Sequence, residues 1–171
     1  SNFFQREAPV PPETVAAARG EFDGLVLALE AAGIEIHVYE GQTAPALPDE
    51  VFPNNWLSLH ADGTAVLYPM LAPNRRQERR PELIDDLRAK HGYRVCRVID
   101  LAELETRGEF LEGTGSLVLD RPRHVAYACL SPRTTPAALR AFERALDYSV
   151  VEFHALDRAG RPIYHTNVML A

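Results

Sequence analysis

Two cysteines in 171 residues, Cys96 and Cys129, are too few for a disulfide scaffold and point to a reducing, cytoplasmic setting. The chain has no run of about twenty apolar residues, the length a helix needs to cross a bilayer, so no membrane association is expected. No basic stretch followed by an apolar core opens the chain, so no secretory signal is visible. Positive charge is scarce too: 18 Lys and Arg face 24 Asp and Glu, a net charge of −6. Phosphate backbones are bound by basic faces, so a nucleic-acid partner is not expected. Arg75, Arg76, Arg79 and Arg80 form the one basic cluster, with Glu78, Glu82, Asp85 and Asp86 close by. That mixture reads as a solvated, internally paired surface in preference to a phosphate site.

What is present is globular in character. An apolar fraction of 46% and a charged fraction of 25% allow one domain with a substantial core. The apolar period predicts a helix from Pro12 to Ala32, with Val15, Phe22, Leu25, Val26 and Leu29 as its inward stripe and Gly33 closing it. A second helix starts at Pro81, turns Leu83, Ile84 and Leu87 inward and stops at Gly92. A third opens at Thr135-Pro136 with a stripe of Leu139, Phe142 and Leu146. Each helix is followed by a short β-rich run: Ile34–Tyr39, Tyr93–Ile99 and Ser149–His154. Hairpins precede the second and third helices. One pairs Trp56–Leu59 with Ala65–Tyr68 around Asp62-Gly63; the other pairs Leu117–Leu119 with Val125–Cys129.

The order strand, strand, helix, strand therefore occurs twice in full, with a helix-strand before it and a lone strand, Ile163–Leu170, after it. Units of this size cannot bury their own faces and pack on one another. Residues 1–171 read as a single partial domain, beginning within one unit and ending within another.

The polar groups fall at matched places in this repeat. Asn54-Asn55 in Phe-Pro-Asn-Asn-Trp, Glu112 in Phe-Leu-Glu-Gly-Thr-Gly and His165 in Tyr-His-Thr-Asn enter successive units, 58 and 53 positions apart. Taken singly, the asparagines read equally well as turn residues, Glu112 as an exposed loop acid and His165 as a structural strand residue. Around an axis, equivalent positions converge, and a carboxylate, an imidazole and two carboxamides would share one acid/base and hydrogen-bonding site. Gly113-x-Gly115 is too short for a nucleotide loop, and no helix is expected directly after it. His37, His60, His91, His124 and His154 show no metal-ligand spacing with a cysteine or carboxylate, so no zinc site is expected.

At these residues the chain resembles the amidinotransferase-related, or pentein, superfamily of guanidino- and ureido-modifying enzymes, and within it the bacterial citrulline-utilisation hydrolases. The motifs are Phe-Pro-Asn-Asn-Trp at 52–56, Tyr-Pro-Met at 68–70, Pro-Asn-Arg-Arg at 73–76, Phe-Leu-Glu-Gly-Thr-Gly-Ser at 110–116, Ala-Tyr-Ala-Cys-Leu-Ser-Pro-Arg-Thr at 126–134 and Tyr-His-Thr-Asn-Val-Met at 164–169. The resemblance implies an α/β propeller of ββαβ units, here incomplete. It implies that His165 is the catalytic proton donor and base, and that Glu112 binds and orients the substrate's planar nitrogen group. Asn55, with Asn54 beside it, and Asn167 fall where relatives with cationic substrates carry aspartates, and Arg133 where they hold a substrate carboxylate.

Asparagine at 55 and 167 suits a neutral ureido group, because it offers both a donor and an acceptor and leaves no buried charge unpaired. The implied reaction is citrulline to ornithine, ammonia and carbon dioxide through a thiocarbamoyl intermediate, without metal or organic cofactor. The family's glycine-rich segment with the nucleophilic cysteine has no counterpart here, and Cys96 and Cys129 read as core residues. Amidino transfer to an amine acceptor, or a non-catalytic binding role, are the alternatives. A small-molecule amino-acid substrate is the implied partner, and the oligomeric state, homo-oligomer included, is left open.

Overall fold

The computed structural model describes residues 11–41, 47 and 49–171. The chain divides into two compact units, Ser1–Gly41 and Gln42–Ala171, each described by itself.

The first unit is built on helix α1, Pro12–Ala31. Pro12 suits the first turn because a helix leaves its first N–H groups unpaired in any case. The far end closes as a Schellman motif: Ile34 N–H donates to the Leu29 carbonyl, Gly33 N–H donates to that of Glu30, and Gly33 takes φ +81°. The stripe expected to face inward is not buried. Val15, Phe22 and Leu25 are exposed, and no residue of α1 is buried. Ile34–Tyr39, expected as a strand, forms none.

The second unit repeats one motif twice. Strands β1 (Leu57–Leu59) and β2 (Thr64–Leu67) pair antiparallel with Leu57 opposite Leu67. Asp62 sets this hairpin by accepting from both the Thr64 N–H and its hydroxyl, and Gly63 supplies φ +87°. A one-turn helix, α2 (Pro73–Arg76), precedes α3 (Glu82–His91), and β3 (Arg97–Asp100) returns parallel to β2. Gly92 closes α3 in the left-handed conformation.

After a one-turn helix, α4 (Gly113–Ser116), the pattern recurs. β4 (Leu117–Asp120) and β5 (Val125–Cys129) pair antiparallel, α5 (Pro136–Leu146) crosses over, and β6 (Ser149–Phe153) lies parallel to β5. The sheets are thus β1-β2-β3 and β4-β5-β6.

β2 is buried along its whole length because its two faces serve two cores. Ala65 and Leu67 pack with Trp56, Met70 and Ile84, whereas Val66 and Tyr68 join the larger cluster of Leu111, Leu117, Leu139 and Phe142. Period-2 side chains of one strand therefore stitch the two motifs together. Leu139 and Phe142, on the expected stripe of α5, are fully buried against the alanines of β5.

One expectation fails in this unit. Ile163–Leu170 is not a strand: Met169 and Leu170 N–H both turn back to the Thr166 carbonyl, and Thr166–Val168 is a 3-10 turn. Local bonds have replaced the cross-strand partner a β-rich run needs. The Gly113-x-Gly115 stretch itself forms the one-turn α4, and a strand, β4, follows it, so no helix comes directly after it.

Candidate active site

Three segments that interrupt the regular elements meet in the second unit: the 3-10 turn Pro53–Asn55, α4 and the 3-10 turn Thr166–Val168. Glu112 caps α4 and is wholly buried. The strand-like stretch that carries it is held from both sides. Leu111 N–H donates to the Pro69 carbonyl, and Thr135 N–H donates to the Phe110 carbonyl.

The Glu112 carboxylate is the centre of the site. His165 Nε2 lies 2.8 Å from Oε2. Arg133 Nη1 donates to both oxygens, at 3.0 and 2.8 Å. Leu71 N–H donates to Oε1 at 3.1 Å, and Arg75 Nη1 stands 4.0 Å from Oε2. Burial by itself would raise this carboxyl, but the His165 hydrogen bond and the Arg133 charge outweigh it and hold Glu112 below the usual carboxylate range. Glu112 is therefore ionised at neutral pH. Because Nε2 is engaged by the carboxylate, Nδ1 is the imidazole nitrogen left to exchange a proton.

Gly115 explains why the motif is glycine-rich. A Cβ there would lie 3.0 Å from His165 Nδ1 and 3.1 Å from Asn55 Nδ2. The imidazole and the Asn55 carboxamide thus border the same glycine. Gly113, at φ +46°, passes so close to Asn54 that a Cβ would sit 2.1 Å from its carbonyl oxygen. Asn54 and Asn55 are more than turn residues: Asn55 is buried, and the Asn54 backbone is the floor on which α4 rests.

Of the residues singled out in the sequence, Glu112, His165, Arg133 and Asn55 come together. Asn54 contributes its backbone carbonyl, which accepts from Thr114 Oγ1 at 3.5 Å. Asn167 lies on the adjacent turn and is exposed. Arg133 does not point outward: 6% exposed, it grips Glu112, and its guanidinium lies 5.8 Å from the centre of the Tyr164 ring.

The basic cluster is internally paired, but it is not all solvated. Arg75 is buried and donates to both Glu78 oxygens at 2.9 Å. Arg79 pairs with Glu105, and Glu105 also accepts from the Met70 N–H. Arg75 was missed because its neighbours in sequence are polar; Tyr-Pro-Met before it was the available signal. Neither cysteine joins the cluster by a hydrogen bond. Cys96 is exposed. Cys129 is buried, its Sγ set 3.5 Å from the Ile163 carbonyl, and burial pushes its thiol up, the opposite of what a reactive thiolate requires.

A family profile described as N,N dimethylarginine dimethylhydrolase, eukaryotic, matches residues 1–171. The chain belongs to this family, and so to the amidinotransferase-related, or pentein, superfamily. Its fold is also that of three solved structures. A dimethylarginine dimethylaminohydrolase adduct with S-methyl-L-thiocitrulline has a TM-score of 0.60 and 22% identity, covering 82% of this chain and 52% of that one. An arginine dihydrolase from the ornithine-ammonia cycle in cyanobacteria has a TM-score of 0.63 and 20% identity over 89% of this chain and 22% of that one. The dimethylarginine dimethylaminohydrolase of Pseudomonas aeruginosa, complexed with citrulline, has a TM-score of 0.61 and 20% identity over 88% and 52%. This chain thus spans about half the length of the two dimethylaminohydrolases. No curated protein matches it.

Proposed function

We propose that this chain carries the acid/base and substrate-orienting part of a C–N hydrolase site for a ureido or guanidino amino acid, with citrulline as the substrate. The observation that carries this reading is the buried Glu112–His165 pair, with the Asn55 carboxamide and His165 Nδ1 sharing Gly115. Glu112 fixes the ring so that Nδ1 faces the reacting group. Its oxygens are occupied by His165, Arg133 and the Leu71 N–H, so it acts on the substrate chiefly through the histidine.

Asn55 is uncharged and offers a donor and an acceptor, which fits a ureido group and leaves a guanidinium without a counter-ion. Exposed Asn167 is the second carboxamide available to it. In the reaction a thiolate adds to the ureido carbon, and His165 gives its proton to the departing ammonia. Water deprotonated by His165 then displaces the thiolate, and the carbamate left behind releases carbon dioxide and ornithine. The thiolate is neither Cys96 nor Cys129. The two ββαβ motifs are taken as consecutive units of one α/β propeller, residues 1–171 forming a single partial domain. A reducing cytoplasm suits a thiol-dependent enzyme.

The test has two parts. Calorimetric titration of the chain with L-citrulline, L-arginine, dimethylarginine and L-valine is expected to show saturable binding of citrulline before the others. Turnover by the native polypeptide is expected to fall at least about a hundredfold in His165→Ala, the scale of a lost general acid–base group. Preference for arginine or dimethylarginine would refute the ureido assignment. Undiminished turnover in His165→Ala would refute the site.

A further inference from the structure

Behind the Glu112–His165–Arg133 cluster lies a serine that no step of the proposed reaction uses. Ser116 ends α4 and is fully buried. Its hydroxyl is saturated: it accepts from the Glu112 N–H at 3.0 Å and from Thr134 Oγ1 at 2.8 Å, and it donates to the Arg133 carbonyl at 3.1 Å. One donor and two acceptor positions are all a hydroxyl has. The Ser116 carbonyl in turn accepts from Thr166 Oγ1 at 2.5 Å, and that hydroxyl accepts from the Cys129 N–H at 2.8 Å.

These partners are not a random sample of the core. Glu112 and Arg133 are two members of the charged cluster themselves, and Thr166 is the neighbour in sequence of the third, His165. The three residues come from loops far apart in the chain, and none of the bonds belongs to a strand ladder. Removing the hydroxyl would leave the Glu112 N–H, the Arg133 carbonyl and the Thr134 hydroxyl without this partner where water does not reach. Moving the loops apart would relieve them.

We propose that Ser116 is a positioning residue, holding Glu112, Arg133 and His165 at the separations that proton transfer needs. The proposal rests on reading that trio as the reacting site. The Thr134 hydroxyl, which donates to that of Ser116, is part of the same device.

The experiment compares Ser116→Ala, Thr134→Val and Thr134→Ser, with Leu87→Ala, at a buried position of α3, as the stability control. Thermal melting reads stability. Carboxyl 13C NMR reads the titration of Glu112, which faces His165, Arg133 and Arg75. In Ser116→Ala and Thr134→Val the Glu112 midpoint is expected to move up towards the ordinary carboxylate range, because its stabilising partners recede. Thr134→Ser keeps the hydroxyl and should restore it. Leu87→Ala should melt earlier with the midpoint unmoved.

Lower melting temperatures with an unmoved Glu112 midpoint in both Ser116→Ala and Thr134→Val would reduce Ser116 to a satisfied core polar group and overturn the proposal. Should Ser116→Ala not fold, the Thr134 pair decides alone. The citrulline titration is scored separately. A shifted midpoint in a chain that binds no citrulline supports the positioning role and counts against the substrate reading.

Discussion

At Gly115 a methyl group would meet His165 Cε1 and Nδ1 at 3.0 Å and Asn55 Nδ2 at 3.1 Å. These are side chains, and they can give by a few tenths of an ångström, although only by lengthening the 2.8 Å contact between His165 and Glu112. At Gly113 the obstacle is backbone, an Asn54 carbonyl 2.1 Å away, and the left-handed φ adds about 1–2 kcal/mol for any other residue. The two glycines should therefore separate function from stability. Gly115→Ala is expected to melt near the wild-type temperature but bind citrulline more weakly, while Gly113→Ala melts well below it. Melting curves and ligand titration on the same pair check this, and equal melting temperatures would contradict the geometry. Glu112 and His165 were legible as a pair because each enters a repeat at the same place. Arg75 and Ser116 were not, since their roles depend on what lies across from them and not on their neighbours in sequence.

Among the elements, α5 was the most legible. Its Thr135-Pro136 opening and its apolar stripe mark start and face, and Leu139 and Phe142 are buried as that stripe requires. Phe142 also lies between Tyr68, stacked with ring centres 6.4 Å apart, and Tyr148, tilted with ring centres 5.5 Å apart, so it ties the residue after β2 to the end of its own helix. Phe142→Ala should cost about 3–5 kcal/mol, the range for deleting a buried aromatic side chain; chemical denaturation measures it, and a loss below about 1 kcal/mol would mean the cluster repacks freely. The hairpin at Asp62-Gly63 was equally readable, because its turn chemistry is local. Ile34–Tyr39 and Ile163–Leu170 were misread for the complementary reason. Apolar β-rich runs state a propensity, and a strand exists only where a partner supplies the ladder.

At the scale of the whole molecule, acid should loosen the fold in two stages. His60 bonds Ser58 Oγ at 2.9 Å, and that hydroxyl bonds the buried Tyr68 at 2.8 Å. Burial, and then the nearby Arg121, lower the imidazole from its ordinary value of 6.5. The unfolded chain therefore takes up the proton more readily, so the contribution of His60 is complete above pH 6.5 and is lost as pH falls towards the folded value. Glu112, also held low, keeps its contribution until pH falls below the ordinary carboxylate range, and loses it as pH passes through the depressed folded value. Melting temperature against pH should decline in both windows. His60→Asn is expected to flatten the upper window alone; an unchanged upper slope would mean that another group sets it.

The sequence by itself determined what local chemistry can settle: the repeated strand-strand-helix-strand order, the turn at Asp62-Gly63, both ends of α3 and the start of α5, and the matched entry points that carry Asn55, Glu112 and His165. Tertiary structure alone decided which polar groups meet. It turned Arg133 inward onto Glu112, buried Arg75 from a cluster that reads as surface, left Val15, Phe22 and Leu25 of α1 exposed, and brought the Arg133–Thr134 loop onto the Ser116 hydroxyl. The physical reason is range. Capping, turn formation and side-chain period act within a few residues, whereas the partner of a buried charge or hydroxyl comes from wherever the fold brings the chain back.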